Sequence, residues 1–464
     1  MSAAPRSFTA QIAACVLVAV LSIWTGLGTL HRLQNADSLL MVLVSIQRWT
    51  PFFWGQDRVG MLVPLLALGV RDPFDNLIVQ GWITTAAAMA APFVAARYLA
   101  GPYPRIWFAA GAAANVLLLL VASPAARFDW FVTMSQYSVA LVLAFGALIA
   151  LDRRGAFAAA AGAALLVLAH WVNVGVGVIL VPLILLKNGG RFDNAVAWIA
   201  IASAIGYVFA DLARAPHTPL SFSPPFDWPL GWMQLARHAA ANVTRPAILA
   251  IAAAWAIGGA VLVSRRRPRD ATIRAAACAA SAAVLYWMVV GTFEWVRMNS
   301  YYPRYIFPSL MLFAVALGLL VAAPWQHRAA LALAAAAFTM AVVFEYGIPS
   351  RGRVARELDV RLGRLTSDVL SSGAEVIGGD YWHVWPAVFH ANWTLRRQGI
   401  DAAVYGLADK STATDPFWAS RRVVLAAPPH DPHLARLETQ RGLRLTIFEH
   451  RPTVDLFTVD PPRP

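Results

Sequence analysis

The chain has 464 residues, of which 59% are hydrophobic and only 14% are charged. Because a soluble globular protein carries about 25% charged residues, this composition excludes that class and indicates a protein embedded in a bilayer. The formal net charge of +13 would suggest a nucleic-acid partner for a soluble protein, but no run of Lys and Arg with interleaved aromatic residues lies on a polar segment. We therefore expect no nucleic acid, and we assign the charge to arginine-rich cytoplasmic loops and to contacts with membrane lipids.

Apolar runs long enough to cross a bilayer as a helix, about 18 residues or more, recur along the first three quarters of the chain. The run 156–186 is longer than one span and is interrupted near 170–175, which predicts two short helices joined by a tight turn. The sequence therefore predicts about eleven transmembrane helices. They are expected at 11–30, 77–99, 106–122, 130–151, twice within 156–186, and at 195–212, 246–263, 275–293, 305–323 and 329–348.

The distribution of positive charge orients these predicted helices, since Lys and Arg favour cytoplasmic loops. With a cytoplasmic N-terminus, the inside loops hold 13 Lys and Arg in 48 residues, whereas the outside loops hold 10 in 96. The arginine cluster at 265–269 is the strongest anchor on the inside. An odd number of spans then predicts that the C-terminus lies outside the cytoplasm.

Two segments differ from the spans. The first outer loop, 31–76, contains two short apolar pieces of interfacial rather than spanning length. From residue 349 the charge density rises and the apolar runs shorten to strand length. The sequence thus predicts an α-helical polytopic membrane protein, with a transmembrane domain at 1–348 and a soluble C-terminal α/β domain at 349–464.

The elements of the two segments are predicted by hydrophobic periodicity and by turn residues. We expect helical pieces at 38–46 and 59–70, a connector helix at 351–370, an amphipathic helix at 383–397, strands at 375–378, 402–405 and 421–426, and a terminal hairpin at 443–449 and 453–459.

Ionisable side chains gather in the predicted outer loops, where costly charges near an apolar core usually mark function. A ring of carboxylates and arginines above an apolar bundle fits a substrate with an acidic head and an apolar tail. The guanidinium fork matches phosphate oxygens, and a carboxylate can accept a hydroxyl proton. The candidate residues in these loops are Asp37, Asp57, Arg58, Asp129, Arg297 and Arg304.

Several of these residues also have a structural interpretation. Asp37 and Asp129 could each cap the helix that follows, because Asp is a favoured N-cap. Arg304 could extend from the end of a span to lipid headgroups. Glu294 is expected to pair with Arg297, three residues further along.

The whole arrangement resembles the GT-C superfamily of membrane glycosyltransferases, especially the bacterial branch with the aminoarabinose and protein mannosyl transferases. Those enzymes have a cytoplasmic N-terminus, an acidic residue in a long first outer loop, a second one in the next outer loop, and often a soluble outer domain. Asp37 matches the first acidic position and Asp129 the second. The segment 304–308, Arg-Tyr-Ile-Phe-Pro, is similar to an Arg-Tyr-x-x-Pro element that opens a late helix, and Tyr381-Trp382 is similar to a motif of their C-terminal domains.

The resemblance implies transfer of a sugar from a polyprenyl-phosphate donor to a glycan, lipid or protein acceptor, at the periplasmic face of the bacterial inner membrane. It implies an inverting displacement in which Asp37 activates the acceptor hydroxyl, with Asp129 and Asp57 as the alternatives. The donor phosphate is then expected to contact Arg304, Arg58, Arg297 and Tyr305.

The metal requirement stays open at this point. The family carries an acidic pair in the first outer loop, whereas here Asp37 is followed by Ser38. A divalent cation is therefore one option for the cofactor, and the sequence names no ligand set for it.

Two other functions are also compatible with these features. An O-antigen ligase or polymerase handles polyprenyl-linked glycans with outer-loop arginines, but such proteins usually lack a C-terminal α/β domain. A transporter or flippase of lipid-linked sugars would favour charges at mid-depth and paired interrupted helices, whereas the charges here lie at one face.

Overall fold

The computed structural model describes residues 4–29, 34–54, 59–101, 103–132, 136–153, 155–173, 175–187, 194–212, 221–266, 271–322, 328–408 and 414–460. In these ranges the chain is mainly α-helical, with a small sheet near its C-terminal end.

The helices follow one another along nearly the whole chain. In order they are α1 (Ala4–Thr29), α2 (Ala36–Ile46), α3 (Leu62–Leu66), α4 (Pro73–Ala100), α5 (Pro104–Val121), α6 (Pro124–Arg127), α7 (Tyr137–Leu151), α8 (Ala156–Val172), α9 (Val176–Lys187), α10 (Asn194–Leu212), α11 (Trp228–Ala241), α12 (Pro246–Arg266), α13 (Ala271–Val290), α14 (Glu294–Met298), α15 (Phe307–Ala322), α16 (Arg328–Tyr346), α17 (Arg351–Ser371), α18 (Tyr381–Arg397) and α19 (Pro432–Arg441).

Each predicted span overlaps one of these helices, but the number of spans stays a prediction. Within the described residues, five segments are long and apolar enough to cross a membrane, and a sixth is a pair of helices, Pro124–Val132 and Tyr137–Leu151, bent by 51° at its break. The remaining predicted spans fall on shorter apolar helices. The five segments are Pro73–Ala100, Pro104–Val121, Ala271–Val290, Arg304–Ala322 and Leu331–Ser371.

The predicted interruption within 156–186 is confirmed. Helix α8 ends at Val172 and α9 begins at Val176. The side-chain oxygen of Asn173 accepts a hydrogen bond of 2.9 Å from the backbone N–H of Gly175. This local bond offers the backbone an alternative to the helix, which is why an Asn at this place ends α8.

The described chain divides into two compact units. Unit 1 comprises the described residues of 4–28, 82–212 and 221–349, and unit 2 comprises those of 34–81 and 350–460. The predicted first outer loop, which the sequence assigned to the transmembrane domain 1–348, thus shares unit 2 with most of the predicted C-terminal domain.

Unit 1 is a bundle in which small residues let helices approach closely. Gly318 on α15 lies against the backbone of Ala110 on α5, and Gly111 on α5 lies against Phe93 of α4. A side chain at either glycine would push the two backbones apart. Small residues at such contacts are the usual means by which membrane helices pack.

Unit 2 contains a sheet with the strand order β2-β1-β3-β5-β4. Strand β1 is parallel to both β2 and β3, and β5 is antiparallel to β3 and to β4. The predicted α/β domain, its connector helix and its terminal hairpin are therefore present. The strands are β1 (Val376–Gly378), β2 (Tyr405–Leu407), β3 (Val423–Ala427), β4 (Arg444–His450) and β5 (Asp455–Asp460).

Helix α2 is an integral part of unit 2. Ten of its eleven residues, Ala36 to Ser45, are buried, and it packs on α18. Nearby in the same unit, the rings of Phe74 and Trp393 stack at 4.9 Å. A helix so apolar has to bury its surface, and here it does so against protein.

Other elements differ from the expectation. The apolar piece 59–70 forms only the five-residue helix α3, which begins after Met61 and ends in a turn after Leu66. Helix α19 was not predicted. Only Leu434 and Leu437 of its ten residues are buried, and two apolar positions are too few to show the hydrophobic period of a helix.

Candidate active site

Asp37 lies in the first turn of α2 and is about 9% exposed. It does not cap the helix, so that structural interpretation is wrong. The N-cap is Asn35, whose side-chain oxygen accepts from the N–H of Ser38 at 3.2 Å while the Ser38 hydroxyl accepts from the N–H of Asn35 at 3.2 Å. Because Asn35 supplies the cap, the Asp37 carboxylate, near the positive end of the helix dipole, has a role other than capping.

Tyr381 reaches Asp37 from the beginning of α18. Its hydroxyl donates a buried hydrogen bond of 2.8 Å to Oδ1 of Asp37. The sequence showed Tyr381 only as part of a short motif, and 344 positions separate it from Asp37. This long-range pair is the feature of the site that sequence reasoning missed.

The Tyr381 end of α18 is held by carboxylates from two loops. The Asp380 carboxylate caps α18 by accepting from the N–H of Trp382 at 3.0 Å. The N–H of Asp380 in turn donates to Oδ2 of Asp431 at 3.0 Å, and Asp431 caps α19. The loops that follow β1 and β3 are thereby tied together, which gives Tyr381 a fixed starting point.

Asp129 belongs to a cluster in unit 1. It lies in a π-helical turn, Phe128–Val132, and is about 8% exposed. The Tyr302 hydroxyl donates to Oδ2 of Asp129 at 2.6 Å. The cap of this stretch is Ser123, at the start of α6, so the expectation that Asp129 caps a following helix is also wrong. Single π-helical turns occur often at functional sites.

Arg304 lies beside the same tyrosine. It belongs to the 3-10 turn Pro303–Ile306 that precedes α15. Its guanidinium lies 5.5 Å from the ring centre of Tyr302 and 5.4 Å from that of Tyr305. Cation–π contacts on both tyrosines hold a half-buried guanidinium in place, unlike a side chain that only extends to headgroups.

The segment leading to Tyr302 carries backbone strain. Ser300 and Tyr301 have φ angles of 53° and 55°, a region that side chains other than glycine adopt at a cost. Tyr301 is nevertheless buried, with 7% of its surface exposed. Packing therefore maintains a conformation that the local sequence disfavours.

The other predicted residues are placed as follows. Arg297 donates to Glu294 at 2.8 and 2.5 Å within one exposed turn of α14, which confirms the predicted pair. These bonds hold the pKa of the Glu294 carboxyl below its usual value. The hydroxyl of Tyr305 is buried and has no hydrogen-bond partner within the described part of the chain. Asp57 and Arg58 lie outside the described residues.

A further charged cluster, which the sequence did not indicate, includes Arg127, two residues before Asp129. Arg127 and Arg245 both donate to the buried carboxylate of Glu345. Arg127 also donates to the carbonyl of Leu119 at 3.0 Å. Because Glu345 belongs to α16, these contacts anchor the turn that contains Asp129 against α16, within unit 1.

A metal site was left open by the sequence. Across the described ranges, no group of three or more His, Cys, Asp or Glu side chains is arranged to hold a metal ion. The need for a divalent cation thus stays open.

Comparison with known proteins gives a match in structure alone. No protein-family model matches the sequence, and no curated protein matches it either. The crystal structure of ArnT from Cupriavidus metallidurans bound to undecaprenyl phosphate is similar at a TM-score of 0.53 and 12% identity, over 97% of this chain and 98% of that one. The apo crystal structure of the same protein matches over the same shares at 12% identity and a TM-score of 0.42.

At this identity the likeness concerns the fold. It extends over almost the full length of both chains, so it includes the helical bundle and the C-terminal sheet. The chain has the fold of ArnT, and the resemblance to the aminoarabinose-transferase branch that the sequence predicted is confirmed at the level of the fold.

Proposed function

We propose that the chain is a membrane glycosyltransferase that moves a sugar from a polyprenyl-phosphate donor to an acceptor at the periplasmic face of the bacterial inner membrane. The GT-C fold supports the reaction class. The ArnT structure of that fold was solved with undecaprenyl phosphate, and we extend that class of ligand to this chain. The acceptor is a glycan, a lipid or a protein.

In the proposed reaction Asp37 is the general base. The acceptor hydroxyl gives its proton to the carboxylate as its oxygen bonds to the anomeric carbon of the sugar. The bond from that carbon to the phosphate oxygen breaks, and polyprenyl phosphate leaves with the electron pair. The hydrogen bond from Tyr381 orients the carboxylate, which is the kind of support a catalytic base needs.

Arg304 is proposed to stabilise the leaving phosphate. A guanidinium offers two parallel donors to phosphate oxygens, and the rings of Tyr302 and Tyr305 limit its movement. Arg297 is the weaker candidate for this role, because its fork already binds Glu294. Arg58 is proposed as a second phosphate contact, and the hydroxyl of Tyr305 as a further donor.

Asp129 and Asp57 are the alternatives for the base. Asp129 accepts a short hydrogen bond from Tyr302, whose ring also faces Arg304. In our proposal the main task of Asp129 is to hold Tyr302, and through it Arg304. Asp57 replaces Asp37 in the scheme only if variants of Asp37 and of Asp129 both keep full activity.

The observation that carries the proposal is the buried Asp37–Tyr381 pair, a carboxylate that is not used as a helix cap and is oriented from the C-terminal domain. The test is transfer of radiolabelled lipid-linked sugar by purified protein in proteoliposomes. Label in an acceptor supports the transferase. Label that only crosses the bilayer would overturn it in favour of a transporter.

The orientation has its own test. If the C-terminal domain is periplasmic, an alkaline phosphatase fused after Pro464 is active and a fluorescent protein fused there stays dark. With a cytoplasmic N-terminus, the opposite result would mean that one predicted span is miscounted, and it would place the proposed chemistry on the cytoplasmic side.

A further inference from the structure

An open groove of about 400 Å³ runs along unit 1 between α1 and α4, with one residue each from α5 and α7. Its walls are apolar, mainly alanine and valine side chains, with Trp82 at one end. Gln11 and Arg97 lie at the other end. No polar ligand fits such walls, so the occupant has a long apolar part.

The shape of the groove follows from small residues on one face of α4. Ala86, Ala87 and Ala90 line it, as does Ala14 of α1. Residues three and four apart share one face of a helix, so these alanines leave a continuous channel along the helix axis. From position 82 to position 97 the channel is about 22 Å long at 1.5 Å per residue, more than the roughly 15 Å that one leaflet contributes to the hydrocarbon core.

The positive charge of Arg97 lies at one end of this channel. Its guanidinium lies 5.8 Å from the ring centre of Trp107. With its amide oxygen turned toward Arg97, the neutral Gln11 accepts from the guanidinium at 2.9 Å. Among the described residues no carboxylate pairs with Arg97, so an anion at this end of the groove would supply its counter-charge.

We propose that this groove binds one anionic phospholipid, with an acyl chain along the alanines and the headgroup phosphate at Arg97. Charge complementarity selects the anionic headgroup, because a zwitterionic lipid would bring its own cation beside Arg97. Basic pockets between transmembrane helices on the cytoplasmic side are known lipid sites, and the sequence predicts a cytoplasmic loop at 97–105. This site is separate from the proposed transfer reaction.

The first measurement is native mass spectrometry of delipidated, full-length protein with phosphatidylglycerol or phosphatidylcholine. We expect phosphatidylglycerol to bind about fivefold more tightly, the effect of one arginine contact to an anionic lipid. Arg97→Ala removes that preference. Arg274→Ala, an exposed arginine at the start of α13, is the control and keeps it.

Cys15 provides a second, local measurement, because it is exposed and lines the groove. In a Cys278→Ser background, phosphatidylglycerol is expected to slow the reaction of Cys15 with N-ethylmaleimide. Ala90→Phe fills the channel and abolishes the protection by lipid while Arg97 stays in place. This variant keeps the test valid if Arg97→Ala fails to fold, and unchanged thermal unfolding confirms that Ala90→Phe is intact.

Three results would overturn the proposal. One is equal binding of the two phospholipids by the parent protein. Another is protection of Cys15 by phosphatidylglycerol that persists in Ala90→Phe. The third is displacement of phosphatidylglycerol by a polyprenyl phosphate that protects Cys15 better, since the groove would then hold the lipid carrier.

Discussion

The two charged clusters are built by opposite means. Asp37 of unit 2 stands on a regular helix with a complete capping box, and its partner Tyr381 begins another capped helix. Asp129 and Arg304 of unit 1 stand on a π-helical and a 3-10 turn, and the residues before Tyr302 are strained. A group on regular elements is held by local hydrogen bonds, whereas one on irregular turns depends on distant packing. In the proposed reaction the base is therefore the fixed group and the phosphate contact the adjustable one.

The largest expected effect is that of Asp37→Asn, which tests the proposed base on its regular helix. The amide cannot accept a proton, so the single-turnover rate should fall about 10²–10⁴-fold. Asn35 supplies the cap, so thermal stability should change little. Donor binding, measured in parallel, should persist. A rate close to that of the parent would reject Asp37 as the base and move the assignment to Asp129 or Asp57.

Arg304→Lys tests the proposed phosphate contact, which lies on an irregular turn. Lysine keeps the charge but loses the paired donors and the flat contact with the tyrosine rings, so we expect about a 10- to 100-fold loss in transfer. Arg237→Lys, on an exposed position of α11, is the matched control. Full turnover by Arg304→Lys would assign Arg304 to lipid headgroups and leave unit 1 without a demonstrated role in the chemistry.

Tyr381→Phe removes the hydrogen bond to Asp37 and leaves the side-chain volume almost unchanged. A bond to a charged group that orients a base should be worth about tenfold in rate. The informative measurement is a double-mutant cycle. Adding Tyr381→Phe to Asp37→Asn should cost nothing further if the tyrosine acts through Asp37. Additive losses would show an independent role, and Tyr405→Phe on β2 controls for loss of a hydroxyl elsewhere in unit 2.

The smallest effects concern stability and should have opposite signs in the two units. Asn35→Ala removes the cap of α2 and should destabilise it by about 1 kcal/mol. Ser300→Gly relieves a left-handed φ at an exposed position and should stabilise its turn by about 0.5–1 kcal/mol, after the entropy of glycine is subtracted.

Hydrogen exchange measures these two effects separately, because amides of 36–46 and of 296–307 report on different units. A whole-protein melting temperature would mix them, since a chain with two units need not unfold in one step. Destabilisation by Ser300→Gly would mean that the conformation at Ser300 is not a source of strain, and the contrast between the two clusters would then be lost.

The sequence indicated charged candidate residues but not their partners. Asp37, Asp129 and Arg304 became candidates because charges beside apolar runs are conspicuous in the sequence. The capping roles that the sequence offered for Asp37 and Asp129 are wrong for local reasons. The N-cap of α2 is Asn35, two residues before the expected Asp37. The N-cap of the helical stretch that contains Asp129 is Ser123. Helix boundaries shift by a residue or two easily, and each shift changes which residue is the cap.

The sequence by itself determined the membrane class, the helices at the predicted spans and most elements of the C-terminal sheet. All of these follow from hydrophobic content and periodicity, which neighbouring residues carry. The tertiary structure alone decided that α2 packs into unit 2 and that Tyr381 meets Asp37 across 344 positions. It also decided that Tyr302 joins Asp129 across 173 positions. A hydrogen bond between distant residues depends on the path of the whole chain, and no local pattern records it.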